Sequence, residues 1–98
     1  MAHEKEEGRE PSRMRTLARR MFWPENKKPY IFNGKPLKDL KDLKDYLVAF
    51  TGKEALWVAA WIEYLGDHEL ARNIRDRPKK FKELILKRYE ELKLYSGS

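Results

Sequence analysis

The C-terminal part of the chain carries apolar residues at the three- and four-residue spacing of amphipathic helices. Asp39 occupies an N-cap position before the first of these segments. The apolar stripe of that segment consists of Leu40, Leu43, Leu47 and Phe50. Three further helices are predicted over 53–65, 68–75 and 78–93. Gly66 supplies a helix stop between the first two of them.

The segment 53–65 is apolar on nearly all sides, which predicts the central buried helix of the domain. Thr51 and Glu54 have capping-box spacing, so this helix should begin with a capped first turn. Trp57 and Trp61 lie four residues apart on one face of it. Such a pair is either a stacking platform for bases or part of the core, and the apolar residues around it favour the core.

A small β-hairpin is predicted upstream of the helices, with strands at 30–32 and 35–37. Asn33-Gly34 is a strong turn signal, because a type I′ turn needs two residues that tolerate positive φ. Pro36 cannot donate to a ladder of hydrogen bonds, so its strand should be short or at an edge.

Residues 1–29 are predicted to form a basic, largely flexible tail, in which Met1–Pro11 is polar and disordered. A short helix is predicted over 13–22, because its apolar residues share one face and Pro24 follows it. The compact helical domain is predicted at 30–95, with the hairpin at 30–37. The fold class is therefore mainly α: a small N-terminal hairpin followed by a compact bundle of about four helices, with a flexible basic tail.

The hairpin and the two central helices carry short motifs that can be compared with those of known domains. These are Phe32-Asn33-Gly34, the spaced leucines after it, Trp61-Ile62, Gly66-Asp67, Leu70-Ala71 and Ile74. Over residues 30–75 the chain resembles a short archaeal and bacterial domain of unknown function, which begins with strand-turn-strand and ends in helices. The resemblance implies a fold and no chemistry, and the apolar 57–60 departs from the more polar lead-in expected there. The arginine- and aromatic-rich tail separately resembles extensions of small archaeal ribosomal proteins.

Charge is unevenly distributed along the chain, whose formal net charge is +6. Residues 11–28 carry six Lys or Arg and one Glu (+5), and residues 70–98 carry nine Lys or Arg and four acids (+5). Residues 31–69 carry five Lys and seven acids (−2). Two basic regions around a mildly acidic middle favour a polyanionic partner.

The composition also bears on source and location. Charged residues make up 39% of the chain and amides are few, as expected of a hyperthermophile, which favours an archaeal source. There is no cysteine, no signal-peptide pattern and no apolar run long enough to span a membrane. We therefore expect a cytoplasmic protein without a membrane association.

Residue types that carry catalysis are scarce, so we expect no enzyme activity and no cofactor. Without cysteine there is no thiolate nucleophile, and the glycines stand singly rather than in a phosphate-binding loop. His68 lies between Asp67 and Glu69, but neighbouring helical residues point apart, so no metal site is expected.

The predicted function is RNA binding, by a ribosome-associated or ribonucleoprotein component whose partners are rRNA and ribosomal proteins. Arginine binds phosphate bidentately and aromatic rings stack on unpaired bases. The candidate contacts are Arg13, Arg15, Arg19, Arg20, Phe22, Trp23, Lys27 and Lys28 in the tail, and Arg72, Arg75, Arg77, Lys79 and Lys80 around Pro78. Further basic residues extend this second group along the last helix: Lys82, Lys87, Arg88 and Lys93.

Two alternatives remain open at this level. The tail helix can act as a protein-interaction adaptor that lays an apolar face into a partner groove. That face consists of Met14, Leu17, Met21 and Phe22. A less favoured alternative is DNA binding, because the helices at 53–65 and 68–76 are arranged around a short turn as in a helix-turn-helix.

Overall fold

The computed structural model describes residues 11–95. This range contains the helices α1 (Pro11–Phe22), α2 (Leu40–Asp45), α3 (Ala55–Leu65), α4 (His68–Asp76) and α5 (Phe81–Lys93), and an antiparallel pair of strands, β1 (Tyr30–Phe32) and β2 (Lys35–Leu37). Short 3₁₀ turns at Leu47–Ala49 and Pro78–Lys80 follow α2 and precede α5. The predicted mainly helical fold, with a small hairpin followed by about four helices, is confirmed. Most of the segment predicted to be disordered, residues 1–10, lies outside the described residues.

Helix α1 belongs to the core, although the sequence prediction placed it in a flexible tail. It begins at Pro11, two residues before the predicted start, and packs against α2, α3 and α5. Three residues of its inner face are at most 3% exposed: Met14, Ala18 and Met21. The compact domain therefore begins with α1 rather than at residue 30. The amphipathic pattern of α1 shows that one face needs a partner, but not that the partner is the far end of the same chain.

The segment between α1 and β1 is held against α3 by two hydrogen bonds. The indole N–H of Trp61 donates to the Lys28 carbonyl at 3.0 Å, and the Lys28 N–H donates to the Tyr64 hydroxyl at 2.9 Å. Asn26 adopts a positive φ of 61° in this segment. The connection is thus part of the ordered surface, and it positions the lysines at 27 and 28.

The hairpin forms in the predicted register. Tyr30 pairs with Leu37 and Phe32 with Lys35, and Asn33 and Gly34 have φ values of 53° and 80°, as the predicted turn requires. The Phe32 ring lies on the core with its centroid 4.2 Å from that of Phe50. The two short strands pair with each other as a two-stranded antiparallel sheet and pack against the helices through Phe32.

Two of the three predicted helix caps, those at Asp39 and Asp67, are present. An Asp39 carboxylate oxygen accepts from the N–H of Asp42 at 2.9 Å, and an Asp67 oxygen accepts from the N–H of Leu70 at 3.1 Å. Glu54 accepts from the N–H of Thr51 at 3.0 Å, as in one half of a capping box. The predicted capped start of α3 is nevertheless wrong, because the helix begins at Ala55 with Glu54 at its N-cap and without a side-chain cap. Helix α2 ends at Asp45, but its whole apolar stripe is buried: Leu40, Leu43, Leu47 and Phe50.

Helix α3 is buried on one side only, so the prediction of a helix buried all round is wrong. Its inner side faces α1 and α4 and includes Trp61, which is 7% exposed. Trp57 is 69% exposed, and Leu56 and Tyr64 share the outer side with it. The prediction that both tryptophans belong to the core therefore holds for Trp61 and fails for Trp57.

A buried ion pair joins the start of α4 to α5. The Nε of Arg88 donates to Oδ2 of Asp67 at 2.7 Å, and Nη2 donates to Oδ1 at 2.9 Å. Arg88 also donates to Glu69 and Glu91, each at 3.2 Å. Burial opposes the charge on Arg88, but its hydrogen bonds to Asp67 outweigh that cost and raise the pKa of the guanidinium above its usual value. The sequence prediction that Arg88 extends a basic surface is wrong, because its side chain is turned inward.

We expect Met21→Ala to lower the free energy of unfolding by about 2–5 kcal/mol, because it removes a fully buried side chain and leaves a cavity. Denaturant unfolding followed by circular dichroism measures this change. The exposed Arg15→Ala on the same helix is the control and should change stability by less than about 0.5 kcal/mol. Equal stability of the two variants would show that α1 is not docked.

We expect Arg88→Met to cost about 3–5 kcal/mol in the same measurement, because it leaves the buried Asp67 carboxylate without its counter-charge. The double variant Asp67→Asn/Arg88→Met should lose less stability than the sum of its single changes. Lys87→Met, one position earlier on an exposed site of α5, is the matched control. Strict additivity of the two changes would contradict a coupled pair.

Candidate nucleic-acid interface

An exposed tryptophan surrounded by cations lies at the end of α1. The N–H of Trp23 bonds to the Arg19 carbonyl at 2.8 Å, so Trp23 continues the last helical turn, and its side chain is 57% exposed. Arg19, Arg20 and Lys27 line an open cavity of about 490 Å³ together with this indole. Glu25 also lines it, so three cations and one carboxylate give the cavity a net charge of +2. We call Arg19, Arg20, Trp23 and Lys27 the Trp23 cluster.

Arg20 is held in place by the turn between α3 and α4. Gly66 ends α3 with a φ of 125°, and a Cβ added there would lie 2.7 Å from Cδ of Arg20. The aliphatic stem of Arg20 therefore packs directly on the glycine backbone. This places a cation beside the C-terminal end of α3, where the partial negative charge of the helix dipole favours it.

Lys27 and Lys28 are brought to the cluster through Tyr64. Lys27 Nζ lies 4.7 Å from the centroid of the Tyr64 ring, which is a cation–π contact, while the backbone of Lys28 is bonded to the hydroxyl of the same residue. Both lysine side chains are exposed. The two residues are 36 or more positions from Tyr64 in the chain, so no local sequence signal indicates this contact.

The remaining candidates on α1 fall into two groups. Arg13 and Arg15 are exposed on its outer side. Phe22 is partly buried and packs edge-on to Tyr89 with a centroid distance of 5.6 Å, so it anchors the helix and offers no free face for stacking. Of the two aromatic residues predicted to contact RNA, only Trp23 is presented to solvent.

The apolar face required by the adaptor hypothesis is already occupied. Met14 and Met21 are buried, and Leu17 and Phe22 pack against the same core. Insertion of this face into a partner groove would require α1 to leave its own domain. The structure thus corrects the prediction that these four residues are available to a protein partner.

The second predicted basic group is exposed, but it is partly neutralised. Its members are Arg72, Arg75, Arg77, Lys79 and Lys80. Arg75 lies 2.6 Å from the Glu63 carboxylate, and that hydrogen bond, with a smaller contribution from His68, lowers the pKa of Glu63. Lys80 lies 3.7 Å from Glu83. The sequence interpretation missed the pairing of Arg75, because Glu63 belongs to the preceding helix.

Additional lysines meet this group at the start of α5. Lys53 and Lys82 line an open cavity of about 800 Å³ together with Lys79, Lys80 and Glu83. Four lysines and one glutamate give this cavity a net charge of +3. We call its four lysines the lysine groove. Lys53 was missed because the sequence interpretation assigned it only to a helix start.

The two basic regions occupy opposite ends of α4. Arg20 contacts Gly66 just before α4 begins, whereas Lys79 and Lys80 follow its C-terminal end. A helix of nine residues is about 14 Å long, so α4 keeps the Trp23 cluster and the lysine groove apart by roughly that length.

Other kinds of site find little support within the described part of the chain. Residues 11–95 contain no group of three or more acidic, histidine or cysteine side chains placed to hold a metal ion. His68 contacts Glu63 at 3.4 Å and has the position of a surface residue. None of the helices described is long and apolar enough to cross a membrane.

The chain matches no family model, no curated protein and no solved structure. The resemblance of residues 30–75 to a domain of unknown function, and of the N-terminal segment to ribosomal extensions, therefore stays a prediction.

We expect acrylamide to quench Trp23 and Trp57 but not Trp61, because the exposed fractions of these side chains are 57%, 69% and 7%. The variant Trp23→Phe/Trp57→Phe, which retains only the buried indole, should emit at shorter wavelength and resist quenching. The control is the same measurement in denaturant, where unfolding exposes Trp61 and the variant should be quenched as strongly as the unfolded parent. Strong quenching of folded Trp23→Phe/Trp57→Phe would contradict the placement of Trp61.

Proposed function

We propose that this protein binds single-stranded RNA, with the Trp23 cluster as its primary contact. The observation that carries the proposal is the exposed indole of Trp23 among Arg19, Arg20 and Lys27 in one cavity. An indole stacks on an unpaired base of any type, and the surrounding cations bind the phosphates on either side of it.

The Trp23 side chain stays largely exposed although it has an aromatic neighbour. The Phe22 ring anchors α1 on Tyr89, and its centroid is 6.2 Å from that of Trp23 at a tilted angle, while Trp23 remains 57% exposed. A large apolar surface kept exposed beside cations favours a ligand that is both aromatic and anionic. Unpaired nucleotides have that combination.

The docked position of α1 favours tight binding. The sequence interpretation expected a tail that orders on contact with RNA, at a cost in conformational entropy. In the structure α1 is held by core residues, so Arg19, Arg20 and Trp23 are positioned before the ligand arrives. Binding through pre-positioned groups avoids that cost.

A ribonucleoprotein setting, with rRNA as the ligand, is consistent with a small basic domain of this kind. The structural RNAs of such particles expose unpaired loops that stacking residues recognise. The DNA alternative has less support, because Leu70, Ala71 and Ile74 of α4 are buried in the core. The helix has only nine residues, which leaves few side chains to contact bases in a DNA groove.

We expect a labelled oligouridine to bind the full chain with an affinity that falls steeply with salt and is lost near about 1 M. Trp23→Ala should weaken binding about tenfold without changing the slope of log affinity against log salt, since it removes stacking and no charge. Arg19→Gln should reduce that slope by about 0.7, the value for one lost phosphate contact on a single strand.

Lys41→Gln removes the same charge from α2, outside the Trp23 cluster, and serves as the control for Arg19→Gln. A duplex DNA of equal length serves as the competing ligand. Binding that persists at high salt, or a preference for the duplex, would contradict the proposal. Co-sedimentation with ribosomal particles that disappears at high salt would support the ribonucleoprotein setting.

A further inference from the structure

The outer side of α3 is an exposed apolar face that the core does not use. Leu56 is 57% exposed, Trp57 69% and Tyr64 44%, and Ala60 between them is also exposed. Because they are spaced by three, four and seven residues, Trp57, Ala60 and Tyr64 form one stripe along the helix. Apolar surface of this kind generally marks a binding face.

Each end of this stripe meets a basic region. At the C-terminal end, the Tyr64 ring carries Lys27 of the Trp23 cluster at 4.7 Å. At the N-terminal end, Lys53 of the lysine groove lies in the turn that precedes α3, two residues before its first residue. Two acidic residues lie beside the stripe, and both carboxylates are engaged: Glu63 is paired with Arg75, and Glu54 accepts from the N–H groups of Thr51 and Gly52.

The dimensions of the stripe suit an extended strand. Trp57 and Tyr64 are seven residues apart, which is about 10 Å along a helix, and Lys53 lies in the turn just before that helix. Three aromatic residues and two cations follow one another along this line: Trp23, Lys27, Tyr64, Trp57 and Lys53. Proteins that bind single strands without sequence preference combine stacking aromatic groups with cations that contact the phosphates.

We infer that the exposed stripe of α3 is a stacking track that guides a single RNA strand from the Trp23 cluster to the lysine groove. This inference rests on the proposed function and extends it, because it turns two separate basic regions into one binding path. The track assigns base stacking to Trp57 and phosphate contacts to Lys53 and Lys79. None of these three roles depends on the Trp23 cluster for its geometry.

Two fluorescence reporters test the track directly with oligouridine. Trp23→Phe leaves Trp57 as the exposed indole, and Trp57→Phe leaves Trp23, while Trp61 remains buried in both. We expect an oligonucleotide of about 16 nucleotides, the upper end of single-domain site sizes, to quench both reporters over the same concentration range. Quenching of Trp23 alone, with RNA still bound, would overturn the track and leave the proposed function standing.

Affinity measurements provide the second arm. Trp57→Ala should weaken binding of this oligonucleotide about tenfold, as expected for one lost stacking contact, and Lys53→Gln should lower the salt slope by about 0.7. Val48→Ala is the matched control, because Val48 is 91% exposed and lies on the turn after α2. Equal effects of Trp57→Ala and Val48→Ala would overturn the inference.

The competing occupant of this face is another copy of the chain, and sedimentation distinguishes it. We expect a monomer at all concentrations without RNA. A concentration-dependent dimer that Trp57→Ala disrupts would overturn the track by showing that the stripe is a self-association surface. Failure of the parent chain to bind oligouridine at low salt would instead remove the proposed function, and the track with it.

Discussion

The pairing of Asp67 with Arg88 is the constraint on which the arrangement of the last three helices depends. Asp67 follows the glycine that ends α3, caps the first turn of α4 through its Oδ1, and receives two hydrogen bonds from Arg88 in the middle of α5. One carboxylate thus determines where α4 begins and how α5 lies against it. Buried ion pairs add little net stability compared with apolar packing, so its main effect is to select one helix arrangement. In that arrangement α4 separates the Trp23 cluster from the lysine groove.

The surface of the protein is not uniformly basic, because some of its cations are buried or paired. Arg88 counts as a cation of the C-terminal region, but it is buried and paired with Asp67. Arg75 is paired with Glu63. Of the exposed cations, Arg19, Arg20 and Lys27 lie beside the aromatic groups at Trp23 and Tyr64. Net charge alone therefore overstates how much of the surface attracts an anion, and the positions of the aromatic groups say more about where a nucleic acid would lie.

Local sequence signals predicted the parts of the fold that are determined locally. Asn33-Gly34 specified the hairpin and its register, and Asp39 and Asp67 specified two helix starts, because each signal acts within four residues. The docking of α1 depends on α5 at the other end of the chain and could not be read from its pattern. Trp57 was misassigned for a related reason, since its helix is apolar on both sides.

The contact between α1 and α5 has a consequence for how the chain is made. Met21 is buried in a core that α5 helps to form, and Phe22 meets Tyr89, so the first described helix is completed by the last. A ribosome releases α1 before the helices that cover it, which are α2, α3 and α5. The inner face of α1 therefore lacks part of its cover until α5 has been made. The contact between α1 and α5 also joins segments that are far apart in the chain, so its formation carries the entropy cost of closing a long loop.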